Sequence, residues 1–415
     1  MTFGVWRRAV LRAGAATAIV LLAACGDDDA AKPLPAPTVA PAAAPAPTPT
    51  PAAPITAVNS TPVTSFAAPW AMVFLPDGRL LVTERDTTNN AGRLWLTTTT
   101  GEKTAVTGLP ANIGLLDVAL HPQFAGNGIV YISYVEPGDA STPRVGRAAD
   151  VTTLSPAGLA VATGRLMVDA TGVSLSSVRT IWRQAPKIVA YPGSGEFGGR
   201  MVFSPNGQFL FVAAGDRQEF DPVQQFDNTI GKIVRLLPDG TVPGDNPFVG
   251  RAGAAPEIWT LGHRNPYGLS FDAAGQLWSH EQGPKGGDEF NLIAPGGNYG
   301  WPRVSNGDNY DDTVIPDHAP GDGFVAPAKS WTPVIAPAGM IFYMGTMFAA
   351  WRGDAIVTGL QSGGLVRVRV SGSSAAEEQR LSLGARTREV EQGPDGALWV
   401  LEDKPGRLLR LTPAG

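Results

Sequence analysis

The chain has 415 residues, of which 43% are hydrophobic and 17% are charged, and it contains 50 glycines and 37 prolines. The charged fraction is below the roughly 25% of ordinary soluble domains, and the content of glycine and proline is high. This composition disfavours a protein dominated by long helices. Lysine and arginine number 32 against 37 acidic residues, and no basic tract is long enough to follow a phosphate backbone, so nucleic acid is not an expected partner. The single cysteine, Cys25, excludes a disulfide, a thiolate zinc cluster or an iron–sulfur centre built by this chain alone.

The N-terminus has the pattern of an export signal. Three arginines precede an apolar stretch that begins at Ala13 and is too short for a comfortable membrane span. The stretch ends in Leu-Ala-Ala-Cys, which resembles a bacterial lipobox. We predict that residues 1–24 are a lipoprotein signal peptide and that Cys25 becomes the lipidated first residue, with an ordinary signal peptide and a chance cysteine as the alternative. The expected product is an exported, membrane-anchored lipoprotein that faces the periplasm or the cell exterior.

The composition changes between the cysteine and Ile55. This stretch consists mostly of Asp, Ala, Pro and Thr, with almost no side chain that could enter a core. We predict that residues 25–55 form a disordered Ala/Pro/Thr linker that holds the folded part away from the lipid surface.

Residues 56–415 contain six copies of one pattern, in which two short apolar strands flank a turn of Pro, Asp, Asn and Gly. The copies begin at Ala71, Asp117, Met201, Leu269, Met340 and Val390. Their turns are spaced at multiples of roughly 60 residues, the length of one four-stranded propeller blade with its loops. We therefore predict an all-β fold, a six-bladed β-propeller over residues 56–415. Two stacked β-sandwiches are the alternative, but they give no reason for the constant period.

A propeller places its ligand site on loops from several blades, so functional residues are expected just past strand ends and far apart in sequence. Four loops stand out because charged residues lie among glycines. They are residues 193–200, 261–268, 279–302 and 384–389. Carboxylates, carbonyls and flexible glycines in the third loop suit Ca²⁺, which takes six to eight oxygen ligands. Arginines in the other three loops suit a ligand with several carboxylates, although surface salt bridges are the ordinary interpretation of each loop alone. These arginines are Arg200, Arg264, Arg386 and Arg388.

Nine segments together make a family recognisable. In chain order they are PWAMVFLPDG, GLLDVALHPQF, EFGGRMVF, GKIVRLLPDG, DNPF, EIWTLGHRNPYGLSF, HEQGPKGGDEFNL, GGNYGWP and RTREVEQGPDG. This set resembles the glucose/sorbosone dehydrogenase family, and within it the soluble aldose sugar dehydrogenases that use pyrroloquinoline quinone (PQQ). The resemblance runs from about Trp70 to the C-terminus and implies a six-bladed propeller.

The resemblance also implies two Ca²⁺ ions and a set of quinone contacts. The carbonyls of Gly283 and Pro284 would hold the calcium at the quinone, and Glu289 with the Tyr299 carbonyl would bind a structural calcium. Arg264 and Asn265 match residues that contact the quinone, and Arg386 and Arg388 match residues that bind its carboxylates. A family lysine that pairs with the quinone falls at Gln361, and losing a charge-assisted hydrogen bond there predicts a PQQ affinity about ten- to a hundredfold lower.

On the substrate side, the family's general base is a histidine, and the aligned residue is Glu196. The resemblance implies that Glu196 takes the C1 hydroxyl proton of an aldose while Arg264 stabilises negative charge on the quinone oxygen. Because an ordinary glutamate is a weaker base than histidine, we expect slower turnover or a different substrate. Asn112, in place of a family glutamine, and Asp216 are the predicted substrate contacts. The alternative candidates for the base are the four histidines, His121, His263, His280 and His318.

The predicted function is therefore PQQ- and calcium-dependent oxidation of an aldose at C1 to a lactone. The expected partners are a small-molecule aldose, an external electron acceptor and the membrane that carries the lipid anchor. A non-catalytic carbohydrate-binding propeller lipoprotein and a calcium-dependent lactonase or other hydrolase are the alternatives. The converging arginines favour the dehydrogenase, because a tricarboxylate cofactor gives them a role.

Overall fold

The computed structural model describes residues 54–85, 91–190 and 195–414, where nearly all regular structure is β-strand. The predicted signal peptide, Cys25 and all but the last two residues of the predicted linker lie outside the described residues. None of the helices in the described part of the chain is long and apolar enough to cross a membrane.

The strands are numbered in chain order. The first nine are β1 (Val58–Ser65), β2 (Pro69–Phe74), β3 (Leu80–Glu84), β4 (Arg93–Thr97), β5 (Lys103–Thr107), β6 (Leu115–Leu120), β7 (Ile129–Pro137), β8 (Ala157–Asp169) and β9 (Gly172–Arg183). The next nine are β10 (Gly198–Phe203), β11 (Leu210–Ala214), β12 (Lys232–Leu236), β13 (Ile258–Leu261), β14 (Pro266–Phe271), β15 (Leu277–Glu281), β16 (Lys285–Gly286), β17 (Asp288–Leu292) and β18 (Gly307–Asp308). The last eight are β19 (Lys329–Trp331), β20 (Pro337–Phe342), β21 (Ala355–Gly359), β22 (Gly364–Ser371), β23 (Ser374–Ser382), β24 (Arg386–Gln392), β25 (Leu398–Lys404) and β26 (Arg407–Pro413). Two single-turn helices, α1 (Phe124–Asn127) and α2 (Phe220–Val223), and a 3-10 turn at Ala349–Trp351 complete the described elements.

Twenty-four of these strands form six antiparallel four-stranded units. Four units are separate sheets, namely β10 to β13, β14-β15-β17-β19, β20 to β23, and β1-β26-β25-β24. The other two, β2 to β5 and β6 to β9, are joined by a short parallel pairing of β5 with β9. Each of the six sequence repeats forms the first hairpin of one unit. The N-terminal strand β1 completes the last unit by pairing with the C-terminal strand β26.

The first strands of the units contact one another in a closed cycle, in the order β2, β6, β10, β14, β20, β24 and back to β2. A cavity of about 300 Å³ lies between them, and every first strand contributes to its lining. The second strands β3, β11, β15 and β21 are buried along their whole length, because neighbouring units cover both faces of each sheet. The arrangement is propeller-like.

Arg200 lies in this axial cavity and does not join the other arginines singled out from the sequence. Its Nη1 lies 3.1 Å from Asp117 Oδ1 and 2.5 Å from Glu389 Oε2, and its guanidinium stacks over Trp70. Burial raises the pKa of Glu389 to about 7, although Arg200 opposes the shift. The expected convergence of Arg200 on a ligand is therefore wrong, because two buried carboxylates already compensate its charge.

The hairpin geometry explains where a site can form. In an antiparallel pair the start of the first strand and the end of the second lie at the same edge of the sheet. Gly198 at the start of β10 pairs with Ala214 at the end of β11, and Pro266 pairs with Glu281 in the next unit. Residues just before a first strand and just after a second strand therefore meet at one end of the ring.

Candidate active site

An ion pair between Glu196 and Arg264 lies at this end of the ring. Glu196 precedes β10, Arg264 precedes β14, and Arg264 Nη2 lies 2.5 Å from Glu196 Oε1. The side chains are only 11% and 7% exposed, respectively. Glu196 has φ +47°, a left-handed conformation that costs a residue with a side chain about 1–2 kcal/mol. The surrounding contacts, including a hydrogen bond from the Arg217 N–H to the Glu196 carbonyl, hold it there.

Arg264 is fixed by several further hydrogen bonds. Its Nη1 donates to the carbonyls of Gln282 and Gly283, each at 2.9 Å, and its backbone N–H donates to Glu281 Oε2 at 2.6 Å. Burial alone would lower the pKa of Arg264, but the charges of nearby carboxylates raise it. The guanidinium is therefore a permanent, oriented positive charge.

Asp216 lies directly behind Glu196. It follows β11 and is fully buried, with its carboxyl group within hydrogen-bonding range of the Glu196 carboxylate. Its Oδ1 accepts the Gln218 N–H and its Oδ2 accepts the Trp301 Nε1–H, both at 2.8 Å. Burial and the adjacent Glu196 charge raise the pKa of Asp216 well above its usual range. This geometry favours a role through Glu196 over the direct substrate contact expected from the sequence.

Asn265 belongs to the same cluster. It is buried, its Oδ1 accepts the Gly198 N–H at 3.3 Å, and its Nδ2 donates to Gln282 Oε1 at 3.2 Å. It thereby links the start of β10 to the loop after β15.

Asn112, the other predicted substrate contact, joins its own loop before β6 to the residue that precedes β4. Its Oδ1 accepts the N–H groups of Gly92 at 2.6 Å and Gly114 at 3.0 Å, while its Nδ2 donates to the Pro110 carbonyl at 2.9 Å. The described contacts of Asn112 thus join it to its own loop and to the neighbouring unit, and none of them joins it to Glu196.

A cavity of about 100 Å³ opens in front of the ion pair. It is lined by Arg147, Glu196, Gln218, Phe220, Arg264, Pro284, Trp301, Asn309 and Tyr310. Larger grooves exist elsewhere, but in one of them the charged side chains form exposed pairs with each other, such as Asp77 with Arg79. The smaller cavity combines buried charge with aromatic walls at the end of the ring where the loops meet, so it is the better candidate for chemistry.

The histidines do not supply an alternative base at this cavity. His263 is buried, with Nδ1 2.8 Å from Glu281 Oε1 and Nε2 2.9 Å from Thr260 Oγ1. His280 is fully buried, and burial lowers its pKa to about 3. His121 lies in the turn after β6, and His318 faces Glu289.

The predicted calcium loop is built around Asp288. Its Oδ1 accepts the Gly283 N–H at 2.9 Å, and its Oδ2 accepts the N–H groups of Ile335 and Ala336 at 2.7 Å. Burial raises the pKa of Asp288 to about 6 despite these hydrogen bonds. The Gly283 carbonyl, a predicted calcium ligand, accepts a hydrogen bond from Arg264 in this structure.

Glu289 and Tyr299 lie deeper in the same region. Glu289 is buried, with Oε2 3.0 Å from Asn291 Nδ2, and burial raises its pKa. The Tyr299 ring stacks on His263 with centroids 4.6 Å apart. Within the described residues, no three His, Cys, Asp or Glu side chains are grouped so that they could hold a metal ion together.

Arg386 and Arg388 meet at one carboxylate. Their Nε atoms lie 3.0 and 2.7 Å from the two oxygens of Asp403. Arg388 is 6% exposed and Arg386 is 46% exposed. Arg85 lies within electrostatic range of all three residues, so three guanidinium groups surround the single carboxylate of Asp403 in this cluster. Gln361 is exposed, and its backbone N–H donates to the Ile335 carbonyl.

The sequence profile of the family described as Glucose / Sorbosone dehydrogenase matches residues 66–410. The chain belongs to this family. Aldose sugar dehydrogenase YliI of Escherichia coli is 36% identical over 375 residues, which cover 87% of this chain and 94% of the relative. Quinoprotein glucose dehydrogenase B of Acinetobacter calcoaceticus is 27% identical over 430 residues, covering 82% and 84% of the two chains.

Solved structures agree with this assignment. The apo form of the soluble aldose sugar dehydrogenase from Escherichia coli superposes with a TM-score of 0.76 at 34% identity, covering 86% of this chain and 100% of that chain. The PQQ-bound form of an aldose sugar dehydrogenase from Streptomyces coelicolor superposes with a TM-score of 0.64 at 27% identity, covering 87% and 99%. The family predicted from the sequence is thus confirmed.

Several side chains of this glucose/sorbosone dehydrogenase site were not predicted. Trp301 lies in the GGNYGWP segment, but only its hydrogen bond to Asp216 shows what it does. Arg85 follows directly after β3, a strand-end position that could have drawn attention to it. Phe220, the first residue of α2, and Tyr310, in a loop, lie in segments whose residues do not indicate the cavity.

Gly262 permits the turn that carries Arg264. It has φ +84°, and an added Cβ would lie 2.3 Å from Asn298 Oδ1 and 2.6 Å from the Gly300 nitrogen. Gly275 has φ +79° but no atom within 4 Å of such a Cβ. Gly275→Ala is expected to cost about 1–2 kcal/mol for the backbone conformation, and Gly262→Ala about 1–3 kcal/mol more because of overlap. The urea unfolding midpoints of the two variants measure these losses of stability. Equal losses would show that the turn at Gly262 can shift to make room for the added methyl group.

Proposed function

We propose that this chain oxidises aldoses at C1 to lactones and that it depends on PQQ and Ca²⁺. The observation that carries the proposal is the buried pair of Glu196 and Arg264 at the floor of an aromatic-walled cavity. A carboxylate that can accept a hydroxyl proton, next to a fixed cation, is suited to alcohol oxidation. The named relatives and the sheet organisation support the same conclusion, and we interpret the six units as six propeller blades.

The residues fit a quinone that carries several carboxylates. Arg386 and Arg388 share the single carboxylate of Asp403, with Arg85 nearby, so their donors exceed the acceptors that the protein offers. Arginine binds carboxylates bidentately, which suits PQQ. Arg386, Arg388, Arg264 and Asn265 would hold PQQ. Gln361 would offer an amide where the family has a lysine.

The loop after β15 fits a cation at the quinone. The carbonyls of Gln282 and Gly283 already converge on the positive guanidinium of Arg264, and Pro284 lines the same cavity. Main-chain carbonyls are ordinary calcium ligands, so Gly283 and Pro284 would hold one Ca²⁺. Glu289, with its buried carboxylate, and the Tyr299 carbonyl would hold a structural Ca²⁺.

In the reaction, bound PQQ supplies the two-electron acceptor for the hydride that leaves C1. Glu196 accepts the proton of the C1 hydroxyl, since its carboxylate lines the cavity and no histidine does. Arg264 contributes a positive charge that does not have to reorganise during the step. The rings of Phe220 and Trp301, which pack edge-to-face with centroids 5.5 Å apart, form an apolar wall that limits access of water.

We also propose that the chain is exported and anchored through lipidated Cys25, with residues 25–55 as the tether. The lipobox-like end of residues 1–24 supports this, and an external electron acceptor would then collect the electrons outside the cytoplasm.

PQQ titration into the purified chain tests the cofactor assignment without a choice of sugar. Saturable binding at micromolar PQQ or below, lost on calcium chelation and restored by Ca²⁺ but not by Mg²⁺, is the expected result. Cofactor absorbance measures it. The absence of binding at high PQQ would contradict the dehydrogenase. Sugar binding without PQQ would then support the carbohydrate-binding alternative. Hydrolysis of a lactone would support the hydrolase alternative.

A further inference from the structure

The carboxyl groups of Glu196 and Asp216 lie next to each other in a buried region at the cavity. Glu196 Oε1 pairs with Arg264, while Glu196 Oε2 is buried and has no hydrogen-bond partner among the described residues. The carboxyl group of Asp216 lies within hydrogen-bonding range of Glu196. Two carboxylates this close repel each other strongly in a buried site unless a proton lies between them.

The hydrogen bonds of Asp216 hold its carboxyl group in place, so it cannot move away from Glu196. Trp301 donates to its Oδ2 and the Gln218 N–H donates to its Oδ1, both at 2.8 Å, and its own N–H donates to the Arg264 carbonyl. The adjacent residues Arg217 and Gln218 have φ +56° and +60°, so the backbone is held in a strained conformation at this point.

The neighbouring charged side chains do not remove the repulsion between the two carboxylates. Arg264 pairs with one Glu196 oxygen through Nη2, which also lies 3.5 Å from the Tyr310 hydroxyl, and its Nη1 donates to two main-chain carbonyls. Arg217 stacks over Phe197 and donates to the Gly195 carbonyl, so it acts on the pair over a longer range. The titratable and charged groups around the pair and its two arginines include Arg147, Arg217, Glu219, Arg264, Tyr267, Glu281, Asp288 and Tyr310.

We propose that Glu196 and Asp216 share one proton and act as a single proton-accepting unit, with Trp301 holding Asp216 in place. Asp216 is then a positioning residue, because it acts through Glu196. The shared proton gives Glu196 Oε2 the hydrogen bond that it otherwise lacks. The catalytic consequence rests on the proposed function, whereas the shared proton itself does not.

The proton balance of the reaction follows. Before oxidation the pair carries one proton. The O–H bond at the aldose C1 breaks, its proton passes to the pair, and the C1 hydrogen leaves with two electrons to the quinone. The pair then carries two protons and returns one to solvent before the next turnover. Because both protonation states belong to the pair, its ionisations are those of two coupled groups.

Infrared spectroscopy of the full chain without cofactor tests the sharing directly. At neutral pH ordinary carboxyl groups are ionised, so the carbonyl stretch of a protonated carboxyl reports only protons held by the fold. We expect Asp216→Asn and Glu196→Gln each to remove the same one-proton band, and the double variant to remove no more than either single variant. Loss of the band in Asp216→Asn alone would show an isolated protonated aspartic acid and overturn the sharing.

Glu391→Gln is the matched control. Glu391 is another carboxyl group, at the axial cavity, and burial raises its pKa well above the usual range. Its substitution is expected to remove a separate band and to leave the shared band in place. If Asp216→Asn fails to fold, Trp301→Phe deletes the Nε1–H donor and is expected to move the frequency of the shared band. An unmoved band would contradict the role assigned to Trp301.

The pH dependence of kcat/KM tests the catalytic consequence. The original chain is expected to show two coupled carboxyl ionisations, and Asp216→Asn only one, with PQQ binding unchanged within about threefold. A lowered rate with both ionisations retained would mean that Asp216 is merely structural. If PQQ does not bind to the original chain, the proposed function fails while the infrared result still decides whether the proton is shared.

Discussion

Glu196→Gln is expected to lower kcat for aldose oxidation by about 10²–10⁴-fold, the usual contribution of a positioned general base. The amide keeps the size of the side chain but cannot accept the C1 hydroxyl proton. It also gives up the ion pair with Arg264, whose Nη2 lies 2.5 Å from the carboxylate. Steady-state oxidation with excess PQQ, Ca²⁺ and an artificial electron acceptor measures the loss, and PQQ titration shows whether the cofactor still binds.

Glu219→Gln is the control for this substitution. Glu219 is a buried glutamate in the same region, but it accepts the Arg147 N–H at 2.6 Å and does not line the cavity. We expect its variant to retain activity within about threefold, because its carboxylate bonds to the Arg147 backbone and does not line the cavity. Undiminished oxidation by Glu196→Gln would show that another group takes the proton.

Arg388→Ala is expected to weaken PQQ binding by about ten- to a hundredfold, the value of a charge-assisted hydrogen bond to a carboxylate. Arg386→Ala is expected to have a smaller effect. The two arginines bind the same aspartate, but Arg388 is 6% exposed and Arg386 is 46% exposed, so water screens the second more strongly. PQQ titrations of both variants at the same calcium concentration give the ratio of their PQQ dissociation constants directly.

The competing explanation is that the arginines only hold Asp403 at the end of β25. In that case Arg388→Ala would lower the unfolding midpoint and leave the PQQ dissociation constant unchanged. Measuring both quantities on the same preparation separates the two roles. Equal weakening of PQQ binding by the two variants would contradict the argument from burial.

The position of the charged residues near strand ends is the part of the site that could be predicted. Turn residues repeated at a constant spacing identified the first hairpin of every unit, and Glu196, Arg264 and Arg388 lie where those hairpins start. Local sequence determines these positions because a hairpin joins residues close together in the chain. The loops that carry the charged residues could therefore be placed at one end before any contact was known.

The pairing between loops could not be predicted. Trp301 and Asp216 are 85 positions apart, and nothing near either residue indicates their hydrogen bond. The burial of Asp216 and the hydrogen bond between Asn112 and Gly92 likewise depend on how neighbouring units pack, so the expected role of both residues at the substrate was assigned from resemblance alone. Arg200 illustrates the same limit, since its two carboxylate partners lie 83 and 189 positions away.

The pairing of β1 with β26 sets the order in which the molecule can be completed. β1 precedes every other described strand in the chain, and it is paired only when the last of them, Arg407–Pro413, has formed. Until then β1 has no edge to join and the cycle of first strands remains open. Contacts between residues so distant in sequence form slowly. We therefore expect the unit that contains β1 to be the last of the six units to be completed during folding.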